Sequence, residues 1–155
     1  MPHIEASTVI PLPIETVWQA HEDATLLERI SAPYPVVRLV HPDVQCQVGT
    51  RLLVRVDFFA SLGLDWEVEI TEWTPPTQFV DEQVRGPFQS WHHVHRFEAL
   101  SETETRATDA IDYEFNPAID NTVVRWMLQT AFDLRTKTLR SVLLETARTP
   151  SGPAA

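Results

Sequence analysis

The order of hydrophobic patterns predicts an α+β domain in which a curved antiparallel sheet of about six to seven strands wraps around one long C-terminal helix, with two short helices after the first strand. Three observations carry this expectation. Between residues 36 and 115 apolar side chains recur at every second position in run after run, each run ended by Pro, Gly or Asn, which marks half-buried antiparallel strands. From 121 to 147 the period becomes helical and neither Pro nor Gly interrupts it. A sheet with one apolar face must be covered, and this helix, roughly 40 Å long at 1.5 Å per residue, is the one element able to cover it.

Taken in order, His3–Pro11 is a strand with Ile4, Ala6, Thr8 and Ile10 on one face, ended by Pro11 and Pro13, which donate no ladder hydrogen bond. Pro13 suits the first turn of a helix, and Ile14, Val17, Trp18 and His21 follow at helical spacing. Asp23 or Thr25 caps a second short helix through Ile30, stopped by Ser31, Pro33 and Pro35. Val36–Val40 is a short strand before the His41-Pro42-Asp43 turn. Val48-Gly49 turns into a longer strand, Thr50–Phe59, in which Leu52, Val54, Val56 and Phe58 alternate with Arg51, Arg55 and Asp57. Ser61-Leu62-Gly63 reads as a turn and Leu64–Thr74 as a strand with Trp66, Val68 and Ile70 on one face, closed by Pro75-Pro76.

Thr77–Arg85 and Ser90–Leu100 form a hairpin across Gly86-Pro87-Phe88. After a polar turn at Ser101–Thr105, Arg106–Phe115 places Ala107, Asp109, Ile111, Tyr113 and Phe115 on one face. Asn116-Pro117 ends the sheet and Asp120 or Asn121 caps the long helix, along which Val124, Met127, Ala131, Leu134, Thr138 and Val142 recur. Residues 1–148 read as a single domain and 149–155, with Pro150, Gly152 and Pro153, as a disordered tail.

Composition narrows the partners. Twelve Lys plus Arg against 22 Asp plus Glu give a net charge of −10, which repels nucleic-acid phosphates and acidic lipid surfaces; its ordinary role is solubility. One cysteine, Cys46, rules out an internal disulfide and fits a reducing compartment, and its neighbours supply no base to make it a nucleophile. No apolar run reaches the ~18 residues of a membrane span, so the expected location is the cytoplasm and no membrane insertion is expected. Phosphate-loop, dinucleotide, zinc-protease, CxxC and serine-hydrolase signatures are absent from the sequence.

The hairpin concentrates the chemistry. Alternation puts Phe79, Asp81 and Gln83 on one face of its first strand and Trp91, His93, His95 and Phe97 on one face of the second. Rings that supply contact area beside a few orienting polar groups suit a small-molecule pocket. Neighbouring strands bring opposed residues within about 5 Å, so Asp81 and Asp109 flank the two histidines, with the register left open. Carboxylates in that position orient an imidazole for acid–base work, with His93, His95 and Asp109 the catalytic candidates. The alternative is a satisfied structural network in which Asp109 and Gln83 pair with His95 and His93. A third reading is metal binding, since His-x-His plus a carboxylate is a zinc or iron ligand set; nothing else in the sequence marks one, so neither metal nor cofactor is expected. Glu82 and His92 face solvent, as does Asp57; residues such as Trp66, Trp91 and Phe97 are more often plain core than ligand wall.

The element order over nearly the whole chain resembles the START-like or SRPBCC helix-grip superfamily, which includes polyketide cyclase/dehydrase-like proteins and pollen-allergen-like carriers. Phe79-Val80-Asp81-Glu82-Gln83, Gly86-Pro87-Phe88, Trp91, His93, His95, Phe97, Thr108-Asp109 and the Arg- and Leu-containing final helix are similar to its bacterial ligand-binding branch. The resemblance implies a cavity between sheet and C-terminal helix, lined by Trp66, Phe79, Asp81, Gln83, Trp91, His93, His95, Phe97, Asp109, Tyr113, Met127 and Ala131, for a small and largely hydrophobic molecule. Superfamily members include carriers and enzymes. The expected function is therefore a non-catalytic carrier or sensor, with a cyclase- or dehydratase-type enzyme using His93 or His95 and a ligand-free interaction module as alternatives. Monomer and homodimer both remain open.

Overall fold

The fold comes from a computed structural model that describes residues 1–31, 36–59 and 62–149, with residues 58, 59 and 62 described by backbone only. Its elements in order are β1 (His3–Ile10), α1 (Ile14–Glu22), α2 (Leu26–Ser31), β2 (Val36–Leu39), β3 (Arg51–Phe59), β4 (Leu62–Thr74), β5 (Gln78–Arg85), β6 (Ser90–Ser101), β7 (Glu104–Glu114) and α3 (Asn121–Arg148). The expected stops at Pro33 and Pro35, the Ser61 part of the expected turn and the tail from Pro150 onward lie outside the described residues.

All seven strands form one antiparallel sheet in the order β1-β7-β6-β5-β4-β3-β2. Strands β3 to β7 are consecutive in chain and space, as short hairpin links require. The first two strands instead occupy opposite edges, so α1 and α2 cross from one edge of the sheet to the other. Helix α1 is fixed by Trp18, which is buried against Trp73, Phe79 and Phe97 with centroids 4.7, 6.1 and 5.9 Å away. Before α2, Asp23 accepts hydrogen bonds from the Thr25 backbone N–H and hydroxyl. Asp120 caps α3 by accepting from the Thr122 N–H at 2.8 Å.

Helix α3 lies along β1: Gln129 donates to the Glu5 carbonyl at 2.9 Å and the Arg140 Nε–H donates to that of Val9 at 3.1 Å. At its far end Arg29 of α2 donates to the Thr146 hydroxyl. Its buried face is Val124, Phe132, Thr136, Leu139 and Leu143. Of the expected stripe, Val124 is on it and the partly buried Val142 packs beside it against the first apolar cluster. Met127 is 55% exposed and Leu134 49%, and Ala131 is exposed beside them. The helix is apolar on two sides, so spacing alone drew a stripe across both; Val123 and Trp126 share the exposed side.

The expected turn at Ser61-Leu62-Gly63 is also corrected. Leu62 and Gly63 belong to β4, paired with Phe59 and Asp57 across an irregularity in the ladder. A Cβ at Gly63 would meet the Asp57 carboxylate and the Arg55 guanidinium, the ends of two exposed side chains that would have to move aside. Likewise β7 begins at Glu104 rather than Arg106, since Ser101 and Glu104 already pair. No helix of the described residues is long and apolar enough to cross a membrane.

Three apolar clusters fill the inner face. One joins Trp18, Phe79, Phe97, Leu139 and Leu143; a second joins Trp91, Tyr113, Val124 and Phe132; a third, near the β2 edge, joins Ala24, Leu39, Val54 and Val56. Between the first two runs a polar seam.

Candidate functional site

The seam consists of Asp81 on β5, His93 and His95 on β6, and Asp109 on β7. Alternation points all four side chains to the covered face of the sheet, where the histidines and Asp109 are buried and the Asp81 side chain is 13% exposed. The register places Asp81 opposite His93 and Asp109 opposite His95. The shortest hydrogen bonds nonetheless run diagonally: His95 Nε2–H donates to Asp81 Oδ2 at 2.7 Å and His93 Nε2–H donates to Asp109 Oδ1 at 2.9 Å. The remaining nitrogens complete a box, with His95 Nδ1 3.1 Å from Asp109 Oδ1 and His93 Nδ1 3.5 Å from Asp81 Oδ2. Each imidazole thus spans both carboxylates. The two rings approach to 3.7 Å between centroids.

Electrostatics separate the pair. Burial lowers the His93 pKa, and the neighbouring His95 adds to that, against the pull of both carboxylates. Burial also opposes charge on His95, but hydrogen bonds to Asp109 and Asp81 outweigh it and raise its pKa. For Asp81, burial is outweighed by His93 and His95 and the pKa falls; for Asp109, hydrogen bonds from both imidazoles take it well below the usual carboxylate range. Both carboxylates thus favour the ionised form, His95 favours the cation more than a free imidazole does and His93 less, and Arg135 of α3 is the nearby positive charge that also favours both ionised carboxylates.

Phe79 stacks on His95, and Phe132 and Trp91 meet His93 edge-on at 5.3 and 6.0 Å. Beyond the seam a void of about 10 Å³ is lined by His21, His95, Phe97, Asp109, Thr136 and Leu139 among others, a volume that admits one water. His21 reaches it from α1, its Nδ1–H donating to the Val17 carbonyl at 2.7 Å, and burial lowers its pKa to about 4. The sequence puts His21 on the apolar side of α1 without marking its meeting with β6. A surface concavity of about 460 Å³ lies elsewhere, along residues 43–51.

Gln83 does not pair with His93. It clamps the hairpin connection, donating from Nε2 to the Phe88 carbonyl at 2.7 Å and accepting from the Phe88 N–H at 3.2 Å. Gly86 packs against this clamp, since a Cβ there would collide with Gln83 Oε1. Phe88, carried by that clamp, joins Trp66, Trp91, Tyr113 and Phe115 in an aromatic group at the second cluster. Within it the Tyr113 hydroxyl and the Trp66 indole N–H are buried with no hydrogen-bond partner among the described residues. Met127 and Ala131, on the exposed side of α3, are outside both groups. Cys46 stays a thiol, because burial, with Asp23 and Glu22 nearby, pushes its pKa up to about 11.

The fold is shared with solved structures of low sequence identity. TTHA0849 from Thermus thermophilus is 20% identical, with a TM-score of 0.72 over 94% of this chain and 99% of that one. Ms6760 from Mycobacterium smegmatis is 19% identical, with a TM-score of 0.71 over 93% of this chain and 92% of that one. NE0264 from Nitrosomonas europaea is 13% identical, with a TM-score of 0.74 over 95% and 97%. A comparison with curated protein sequences finds no match. The family model described as polyketide cyclase/dehydrase and lipid transport matches residues 10–140, and its range takes in the seam, the aromatic group and most of α3. With its seven-stranded sheet gripping a terminal helix, the chain belongs to the polyketide cyclase/dehydrase and lipid transport family, of the SRPBCC type.

Proposed function

We propose that the protein is a non-catalytic carrier or sensor for a small, largely apolar molecule bearing one hydrogen-bond acceptor, held at the aromatic group between the sheet and the N-terminal half of α3. The observation that carries this reading is the pair of buried donors with no partner among the described residues, Tyr113 O–H and Trp66 Nε1–H, set among Phe88, Trp91 and Phe115. An unmade buried hydrogen bond costs about 1–3 kcal/mol, and a ligand carbonyl or hydroxyl recovers it while the rings supply apolar contact. Trp66, Phe88, Phe115 and Leu128 are only partly buried, so they form the side that must part for entry. Membership of a family that covers lipid transport supports ligand binding in general.

The acid–base alternative has less support. A substrate must come within about 3 Å of an imidazole nitrogen, whereas the histidine nitrogens face Asp81 and Asp109 and the adjoining void admits one water. The test is native mass spectrometry of freshly extracted protein, followed by titration of the delipidated protein with an anilinonaphthalene fluorophore. A retained small molecule, and probe binding weakened about tenfold by Trp66→Phe with Tyr113→Phe, are expected. Repeated recovery of ligand-free protein, together with no probe binding, would overturn the reading.

A further inference from the structure

We propose that Asp81, His93 and His95 bind one divalent transition-metal ion of the zinc or iron(II) class, with Asp109 holding the two imidazoles in their ligating orientation. One ligand atom from each of the three residues lies within 4.8 Å of the others. A tetrahedral ion with bonds of about 2.0–2.2 Å holds its ligand atoms roughly 3.3–3.6 Å apart, so the His93–Asp81 spacing already fits and the closer His95–Asp81 pair opens by less than about 1 Å. The atoms that face one another are His93 Nδ1, 3.5 Å from Asp81 Oδ2, and His95 Nε2, 2.7 Å from the same oxygen.

The opposite nitrogens supply the second half of the argument. His93 Nε2 and His95 Nδ1 lie 2.9 and 3.1 Å from one Asp109 oxygen. A metal-ligating imidazole characteristically donates its other N–H to a carboxylate, which fixes the tautomer and strengthens the metal bond. Asp109 makes this contact with both histidines. A purely structural network would need only one carboxylate for each imidazole, whereas here each imidazole has a carboxylate at both ends.

Charge fits the same assignment. The two buried carboxylates that draw a proton onto His95 in the metal-free protein can instead be balanced by a divalent cation, with both histidines then neutral ligands. Two imidazole nitrogens and one carboxylate favour zinc, iron, cobalt or nickel over magnesium and calcium, which take oxygen sets. The small void lies on the Asp109 side of His95 and is lined by neither Asp81 nor His93, so the ion sits apart from it and has a structural role beneath α3. This inference does not depend on the aromatic group binding a ligand, because Trp66 and Tyr113 are not in the set.

The experiment uses untagged full-length protein stripped with a chelator and titrated with Co²⁺, whose visible absorption reports coordination number, then with Zn²⁺ in competition. Saturation at one equivalent is expected, with an intense four- or five-coordinate spectrum that Zn²⁺ abolishes. Asp81→Asn should weaken binding at least tenfold, and Asp109→Asn by about 10–100-fold while keeping the stoichiometry. Paramagnetic broadening of the His93 and His95 ring resonances in the unaltered protein separates this site from the exposed histidines and keeps the test valid if a variant fails to fold. Absence of Co²⁺ and Zn²⁺ binding at millimolar metal, or broadening confined to other histidines, would overturn the proposal.

Discussion

Phe79 lies flat on the imidazole of His95, with centroids 3.9 Å apart and planes 12° from parallel, because the two residues are directly opposed on β5 and β6. The ring does two things at once. It closes the first apolar cluster against Trp18 and Trp73, and its face meets an imidazole whose raised pKa favours the cation. Phe79→Ala should therefore cost about 3–5 kcal/mol in denaturant unfolding and Phe79→Leu distinctly less. In the metal-free protein both should also lower the His95 pKa measured by NMR. An unchanged His95 titration in a folded Phe79→Leu protein would show that the stacking is packing alone.

Asp109 and Asp112, three residues apart on β7, each accept a histidine hydrogen bond at 2.9 Å, but only one is buried. Solvent screens the exposed pair His3–Asp112, whose loss should cost less than about 1 kcal/mol. Asp109→Asn strands two buried imidazoles and should cost about 3–5 kcal/mol. Guanidinium unfolding of Asp109→Asn and Asp112→Asn side by side measures the contrast; similar losses would mean that water reaches the seam.

His21 gives the pH dependence a definite window. Its pKa is 6.5 when free and about 4 in the fold, so between those values the unfolded chain takes up a proton that the folded protein excludes. Its contribution to stability is complete above about pH 6.5 and is lost as the pH falls toward 4, an effect on the order of 2 kcal/mol after allowance for the partial exposure of the ring. His21→Gln should flatten the melting temperature over this range. Equal slopes for the two proteins would show that His21 does not titrate there.

Removing the Tyr113 hydroxyl offers an unusual sign. Because that oxygen is buried with no partner among the described residues, Tyr113→Phe should leave the ligand-free protein as stable as before or up to about 1–2 kcal/mol more stable, while weakening binding of an acceptor-bearing ligand. Thermal melts with and without the anilinonaphthalene probe check both halves. A loss of stability in the ligand-free protein would reveal a hydrogen bond to that hydroxyl.

The alternation of Leu52, Val54 and Val56, of Trp91, His93 and His95, and of Ala107, Asp109 and Ile111 was enough to name the sheet and the residues of the seam, because a period of two has a single solution once one face is covered. Diagonal pairing was not readable. It depends on registers set by turns, and on imidazoles reaching past their directly opposed partners. The stripe on α3 was drawn across both sides because Trp126, Met127 and Leu134 repeat as regularly as Phe132, Leu139 and Leu143 do; only packing against β1 distinguishes the two sides. The roles of His21 and Gln83 rest on contacts from a separate helix and on a hairpin clamp, and neither leaves a trace in spacing.

The placement of β1 against β7 ties the completion of the sheet to the order of synthesis. Ile4 pairs with Ile111 and Ile10 with Thr105, so the strand made before all the others cannot join the ladder until the last of them has emerged. At about 5–20 residues per second that delay is roughly 5–20 s on the ribosome, during which Ile4, Ala6 and Ile10 present an apolar, unpaired strand. The last strand of the sheet to be made is thus the one that shields its first, and until it arrives the apolar side chains of β1 have no ladder partner.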